Sequence, residues 1–268
     1  MGRHYIRAEA YNADMLTTYP APSLEFAKPL MNAAGSLGFT PDSYGAISIE
    51  KFGAFVTNPI SIRARKTANP PVLVAFPGGV LMHSGHPNPG ISNVIKTYSA
   101  SWARAPVPII VHLLSAKAED ARKAIFRLEE LENIMAIEIG FEADSSTDLV
   151  FELVKSSIGE LPLIAQLPLA RALDLASTAV EAGASAISLG PPRGSLFTRD
   201  GKMVSGRLYG PAIFPQALEM VRQIREMDIP TIGGGGVENE EQANVMLEAG
   251  ATAVQMDVAL WKGTTDTK

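Results

Sequence analysis

The sequence predicts a single (β/α)8 TIM barrel over residues 1–268, and three observations support this fold. Short apolar runs alternate with amphipathic helical segments along most of the chain, as they do in parallel α/β sheets. The length of 268 residues is close to the roughly 250 that such a barrel needs. No change in composition marks the boundary of a second domain.

Eight short apolar segments are predicted as barrel strands, and most precede a segment with apolar residues at helical spacing. The strands are predicted at residues 28–35, 54–60, 107–114, 136–141, 161–167, 186–189, 229–232 and 252–256. The helices are predicted at residues 42–51, 116–131, 147–158, 171–182, 212–227 and 239–249. Residues 61–90 and 190–211 are predicted as loops, the first because it is rich in proline and glycine.

The residues after the last predicted strand indicate a truncated eighth helix. Ten residues follow Val258, and segment 261–268 is too short for a full helix. The barrel flank that this helix would cover is therefore expected to be bare, or to lie against the N-terminal segment or another subunit. Because an exposed apolar flank is a candidate interface, the sequence predicts a homo-oligomer.

Composition narrows the functional classes. Hydrophobic residues make up 46% of the chain and charged residues 19%, which is typical of a well-buried globular protein. The net charge of −5 gives no reason to expect nucleic acid or an anionic membrane as a partner. The absence of cysteine excludes disulfides, thiolate metal sites and a cysteine base. No signal peptide or membrane span is recognisable, so a cytoplasmic location is expected.

Four consecutive glycines at positions 233–236 lie between a predicted strand and a predicted helix. Without side chains, backbone N–H groups can approach a phosphate closely, and a helix N-terminus adds a favourable dipole. In TIM barrels such a site commonly forms after the strands nearest the C-terminus, which is where this run lies. The alternative is that the glycines form only a tight turn.

Five titratable side chains are candidates for proton transfer, and one of them, Glu142, is alternatively a solvated loop residue. Glu138 is predicted to face the barrel interior because its neighbours Ile137 and Ile139 would face the helices. A carboxylate in a dry pocket has a raised pKa and suits a general base, so Glu138 is the first catalytic candidate. His83 is the second, with His86 beside it in the predicted loop, and the alternative is that both histidines are solvated or stabilise a turn. His112 either points into the barrel or is a core histidine bonded to a backbone carbonyl.

Two groups of basic residues are expected near one end of the barrel, and on an acidic protein they suggest a small anionic or phosphorylated ligand. The alternative is that they are solvated loop charges. The groups are Arg63, Arg65 and Lys66, and Arg193, Arg199, Lys202 and Arg207. No metal site is expected, because the histidines lack the spacing or acidic partners of a zinc site.

Six stretches of the chain resemble dihydroorotate dehydrogenases, in the same order. They are residues 32–39 (NAAGSLGF), 53–61 (GAFVTNPIS), 76–90 (FPGGVLMHSGHPNPG), 206–215 (GRLYGPAIFP), 229–236 (IPTIGGGG) and 249–255 (AGATAVQ). The resemblance covers most of residues 25–260. It implies a TIM barrel whose family binds FMN at the C-terminal mouth and oxidises a dihydropyrimidine.

The resemblance also implies where FMN would bind. The flavin would lie over the small residues after the first strand, with amides at its ring edge and its phosphate on the glycine run. The implied cofactor-binding residues are Ala33, Ala34, Gly35, Asn58, Gln166, Gly210, Gly234, Gly235 and Gly236. Asn58 and Gln166 stand where the family has lysines, and Asp257 stands at a Gly-Thr position beside the phosphate. A carboxylate there repels a phosphate unless it points away or is protonated.

The chain also departs from the family where substrate is bound. The family carries an Asn-x-Ser-Cys/Ser-Pro-Asn motif after the fourth strand, and here the aligned residues 138–143 read EIGFEA. Phe141 stands at the position of the base, and a phenyl ring cannot accept a proton. Glu138 and Ala143 replace asparagines, and Met82 replaces another. A site that loses these partners loses its discrimination for dihydroorotate.

The sequence leaves two main candidate functions, which differ in whether the barrel carries out flavin redox chemistry. The first is an FMN-binding oxidoreductase of the dihydroorotate dehydrogenase type that acts on a substrate other than dihydroorotate. The second is a barrel without flavin redox chemistry that binds a phosphorylated or pterin-like anion, as a non-redox enzyme or binding protein in a cofactor pathway. A purely structural subunit is a third possibility.

Overall fold

Eight parallel strand positions form a barrel in the computed structural model, which describes residues 22–41, 48–70 and 72–257. The sheet order is β1-β13-β12-β9-β8-β7-β6-β2, with β3 also paired to β6. A parallel bridge between Met31 and Ala54 joins the two ends of this order. The prediction of a TIM barrel is therefore confirmed. The barrel strands are β1 Leu30–Asn32, β2 Phe55–Val56, β3 Ile60–Ser61, β6 Ile109–Leu114, β7 Ile134–Gly140, β8 Leu163–Pro168, β9 Ala186–Gly190, β12 Thr231–Gly234 and β13 Ala253–Met256.

Six helices in the described ranges pack around the barrel. They are α1 Ile91–Ala103, α2 Ala118–Glu129, α3 Thr147–Ser156, α4 Ala172–Glu181, α5 Phe214–Arg225 and α6 Glu240–Ala249. Local signals fix several ends: the Ser146 side chain accepts a hydrogen bond from Leu149 N, and Asn239 caps α6 in the same way. Gly250, with φ 120°, ends α6. Every helix among these residues is too short or too polar to span a membrane.

The prediction of two structureless loops was wrong. Residues 61–90 contain the hairpin β4 Val72–Phe76 and β5 Gly79–His83, and residues 190–211 contain β10 Arg193–Phe197 and β11 Met203–Tyr209. These four strands pair antiparallel in the order β10-β11-β5-β4, a unit called here the cap sheet. Their half-buried side chains give a weak apolar signal. The turn signals Pro77-Gly78 and Asp200-Gly201 were the available indication.

Two other sequence predictions reach beyond the described residues. The helix predicted at 42–51 includes residues 42–47, which lie outside them, and Ile49–Lys51 forms a short 3-10 helix. The truncated eighth helix concerns residues 258–268, which also lie outside them.

The barrel interior is built in layers because side chains alternate along each strand. One buried layer is apolar and consists of Met31, Ala54, Val56, Ile110, Ala136, Ile164, Ile232 and Ala253. The next inward layer lies two residues further along five of these strands. It consists of His112, Glu138, Gln166, Gly234 and Gln255. Residues between them, such as Ile137 and Ile139, pack outward with the helices. The inward orientation predicted for Glu138 is confirmed.

Candidate active site

A cleft with about 780 Å³ of empty space, part of which is open solvent at its mouth, lies above this polar layer at the C-terminal end of the barrel strands. Small residues just after β1 and at the end of β12 line one part of it, and polar side chains from the interior strands line its floor. The cap sheet contributes another part of the wall through Arg193, Arg207 and Tyr209. The C-terminal face is where TIM barrels place their ligands, so this pocket is the candidate site.

The floor is organised around the carboxylate of Glu138, which is fully buried. Its Oε1 accepts hydrogen bonds from Ser188 Oγ at 2.6 Å and Gln255 Nε2 at 2.7 Å. Its Oε2 lies 2.6 Å from His112 Nδ1 and 3.4 Å from Gln166 Nε2. All of these partners can donate, so the carboxylate is held in its ionised form by side chains from four other strands.

The sequence predicted a raised pKa for Glu138, and this prediction was wrong. Burial raises the pKa of Glu138, but the hydrogen bonds that its carboxylate accepts from His112, Ser188 and Gln255 outweigh this effect and hold the pKa below 4.5. Glu138 is also not among the residues that line the pocket. It lies beneath the floor, and His112 lies between it and the ligand space.

His112 lines the pocket although only 3% of its side chain is exposed. Its Nδ1 faces Glu138, and its Nε2 faces Gly140, where an added Cβ would lie only 2.8 Å from Nε2. Gly140 therefore leaves the space that the imidazole occupies. The sequence left two interpretations of His112 open: a side chain that points into the barrel, or a core histidine bonded to a backbone carbonyl.

The glycine run forms the side of the pocket nearest α5. Gly234 and Gly235 line the pocket, whereas Gly236 packs against the first turn of α5. A Cβ on Gly236 would lie 2.6 Å from Gly210 O and 2.7 Å from Phe214 N. Gly235 and Gly236 have φ values of 111° and 73°, a region that glycine adopts readily. The run thus presents backbone rather than side chains to the pocket.

The rim carries an ionic cluster between the barrel and the cap sheet. Arg193 and Arg207 are register partners on β10 and β11, so their charges lie side by side. Glu142 bridges them, with Oε1 2.6 Å from Arg207 Nη2 and Oε2 3.5 Å from Arg193 Nη1. One carboxylate against two guanidiniums leaves a net positive rim. Burial raises the pKa of the nearby Tyr209 to about 12, so its phenol stays protonated.

His86 contacts the same cluster through Arg207, whose Nη1 bonds to His86 Nε2. Burial, and then the charge of Arg207, lowers the pKa of His86 to about 3. A neutral imidazole can accept a hydrogen bond from the guanidinium at Nε2, which fits this contact. His86 is therefore an uncharged part of the rim at neutral pH.

This pKa predicts how stability depends on pH. Because the pKa of His86 is lowered on folding, neutral His86 contributes stability that is complete above pH 6.5 and is lost as pH falls toward 3. Between pH 7 and pH 4, the free energy of unfolding is expected to fall by at least about 1 kcal/mol more in wild type than in the His86→Gln variant. Urea unfolding of both proteins at the two pH values measures this. Equal losses would contradict it.

The predicted site residues divide into three groups in the structure. Ala33, Ala34, Gln166, Gly234 and Gly235 line the pocket. Gly35, Asn58, Gly210 and Gly236 lie outside its lining, and Asn58 Oδ1 accepts a hydrogen bond from Gly38 N. His83 is exposed at the end of β5, also outside the lining, and it is His86 that reaches the pocket.

Several site residues were missed from the sequence. Ser188, Gln255 and Tyr209 were not singled out, although the spacing of two residues from buried apolar positions marks Ser188 and Gln255 as inward. Within the described ranges, no group of three or more His, Cys, Asp or Glu side chains is placed to hold a metal ion.

A family model described as dihydroorotate dehydrogenase matches residues 15–141 and 195–267. The match covers more than half of the chain and includes the glycine run and both ends of the barrel. The chain belongs to the dihydroorotate dehydrogenase family. The matched ranges omit residues 142–194, which supply Glu142, Gln166 and Arg193 to the pocket.

Individual relatives agree with this assignment. A Pelobacter propionicus protein named dihydroorotate dehydrogenase B (NAD(+)), catalytic subunit, is 30% identical over 257 residues, covering 88% of this chain and 84% of the relative. Proteins of the same name from Geotalea uraniireducens and Streptococcus pneumoniae are 30% and 26% identical, over 266 and 264 residues. These alignments cover 88% and 89% of this chain and 84% of each relative.

Proposed function

We propose that this family member is an FMN-dependent oxidoreductase that acts on an anionic substrate other than dihydroorotate. The observation that carries the proposal is the pocket at the barrel mouth, which is lined both by glycine backbone and by two arginines. Family membership supports flavin as the cofactor. The altered floor supports a different substrate, and the positively charged rim supports an anionic one.

The pocket residues fit FMN at both of its ends. Gly234 and Gly235 offer backbone without side chains to a phosphate, beside the first turn of α5. Ala33 and Ala34 leave room for a flat ring, and the Gln166 amide lies at the floor where it can bond to a ring edge. When bound, FMN would supply two-electron acceptance, which no side chain of this pocket provides.

The substrate argument rests on the floor and the rim. Phe141 lines the pocket at the position where the family has its base, so no proton acceptor is present there. The Glu138 carboxylate is saturated by its protein partners and buried, so it is not free to bind a polar ring. Arg193 and Arg207 instead give the rim positive charge, which suits a carboxylate or phosphate on the substrate.

The test begins with the absorption spectrum of the purified protein, before and after addition of FMN and desalting. The twin visible bands of oxidised flavin are expected to remain with the protein. Anaerobic addition of dihydroorotate is then expected to leave these bands unbleached. A protein that stays colourless would refute FMN binding, and rapid bleaching by dihydroorotate would refute the substrate proposal.

A second candidate function is a barrel that binds a phosphorylated or pterin-like anion without redox chemistry. The observation that favours it is Asp257, a buried carboxylate that lines the pocket together with Gly234 and Gly235. In addition, no lysine is among the described residues that line the pocket. Retention of such an anion by a protein that rejects FMN would favour this candidate.

Asp257 also provides a test of the first proposal. Asp257→Asn keeps the side-chain shape and removes a negative charge near the phosphate cradle, so FMN should bind about tenfold more tightly. Quenching of FMN fluorescence on titration gives the dissociation constant. Asp144→Asn, an exposed residue in the loop after β7, is the control for net charge and should leave it unchanged. Unchanged or weaker binding by Asp257→Asn would contradict the predicted placement.

A further inference from the structure

The pocket lacks a base at Phe141, but its floor holds an imidazole in a defined orientation. Ionised Glu138 can only accept hydrogen bonds, so the proton of the 2.6 Å bond to His112 must lie on Nδ1. In the neutral ring the lone pair then lies on Nε2. Glu138 thus fixes both the rotation and the tautomer of His112.

The second nitrogen of His112, Nε2, makes no hydrogen bond to any described residue. His112 lines the pocket, and its Nε2 lies against Gly140, the residue where β7 ends and where any side chain would meet the ring. Ser188 and Gln255 both donate hydrogen bonds to the Glu138 carboxylate. These bonds keep the carboxylate from turning away from His112.

We propose that His112 Nε2 is the proton acceptor of this pocket, with Glu138 as the residue that positions it. The ligand class is a small molecule that presents an N–H, O–H or acidic C–H group to the floor, with its anionic group toward Arg193 and Arg207. His112 thereby supplies the function that Phe141 cannot. The inference rests on the proposed function only in that a substrate occupies this pocket.

The first experiment reads the tautomer directly in the ligand-free protein. Long-range ¹H–¹⁵N spectra of histidine-labelled protein at pH 7.5 distinguish a protonated from an unprotonated ring nitrogen. The chain has four histidines, and the variants His4→Gln, His83→Gln and His86→Gln assign the other three signals. The expected result is His112 with protonated Nδ1 and unprotonated Nε2. The opposite tautomer, or a ring protonated on both nitrogens, overturns the proposal.

The second experiment tests whether Nε2 is open to the pocket. Diethyl pyrocarbonate attacks unprotonated imidazole nitrogen, and peptide mass spectrometry locates each adduct. His112 is expected to react, and Gly140→Ala is expected to slow its reaction at least tenfold while the exposed His83 reacts as before. Complete protection of His112 in wild type, or no effect of Gly140→Ala in a variant that retains the wild-type circular dichroism, overturns the proposal.

Glu138→Gln provides a second variant that does not depend on Gly140→Ala folding normally. Its neutral amide can present either oxygen or nitrogen to His112, so the Nε2-protonated tautomer should become measurably populated. An unchanged tautomer in this variant would remove Glu138 from the positioning role. None of these measurements uses flavin, so a negative result is distinguishable from a failure to bind FMN.

Discussion

Glu138→Ala is expected to lower the free energy of unfolding by about 3–5 kcal/mol. The substitution removes the acceptor shared by Ser188, Gln255 and His112, all buried, and leaves their donors unsatisfied. Glu138→Gln fills the same space, but its amide nitrogen must face one of these donors, so a loss of about 1–3 kcal/mol is expected. Urea unfolding measures both.

The matched control is Glu152→Ala on the exposed face of α3, which should change stability by no more than about 0.5 kcal/mol. A loss below about 1 kcal/mol for Glu138→Ala would show that water replaces the carboxylate at no cost. The network would then have little importance for the fold.

The same carboxylate determines behaviour in acid. Because the pKa of Glu138 is held below 4.5 in the folded protein, its contribution is complete above about pH 4.5 and is lost as pH falls through the folded value. Wild type should therefore lose stability below pH 4.5 more steeply than Glu138→Gln, which has no carboxyl group to protonate. Parallel pH profiles would contradict the lowered pKa.

The barrel could be predicted because its signal is local. Apolar strands such as residues 136–141 stand between helical segments, and the alternation of Ile137, Glu138 and Ile139 gave the correct inward face. The cap sheet could not be predicted as readily, because its strands are only half-buried and carry polar residues such as Arg193 and Arg207. Their pairing joins segments far apart in the chain, β5 with β11.

The candidate site shows the same division between local and distant information. The sequence identified Glu138 as inward, but its pKa depends on partners 26, 50 and 117 residues away. Burial alone predicts a raised pKa, and only the positions of His112, Ser188 and Gln255 reverse the sign. For the same reason, His112 could not be separated from a core histidine until its contact with Glu138 was known.

Gly234→Val is expected to weaken FMN binding more than 100-fold while the fold is retained. A Cβ on Gly234 would lie 3.4 Å from Gln255 Cβ and from Leu189 O, so the backbone can accept it. Gly234 ends β12 outside the left-handed region, and valine suits a strand. The two methyl groups would then occupy the space beside the proposed phosphate cradle.

The comparison with Gly236→Ala separates ligand space from backbone strain. Gly236 has a φ of 73°, and its Cβ would lie 2.6 Å from Gly210 O, so this variant should lose both stability and flavin. Gly234→Val should keep a melting temperature within a few degrees of wild type and lose flavin alone. Fluorescence titration with FMN and thermal melts of both variants provide the two readouts. If Gly234→Val binds FMN as wild type does, the phosphate does not lie against Gly234 and the cofactor must enter the pocket in another orientation.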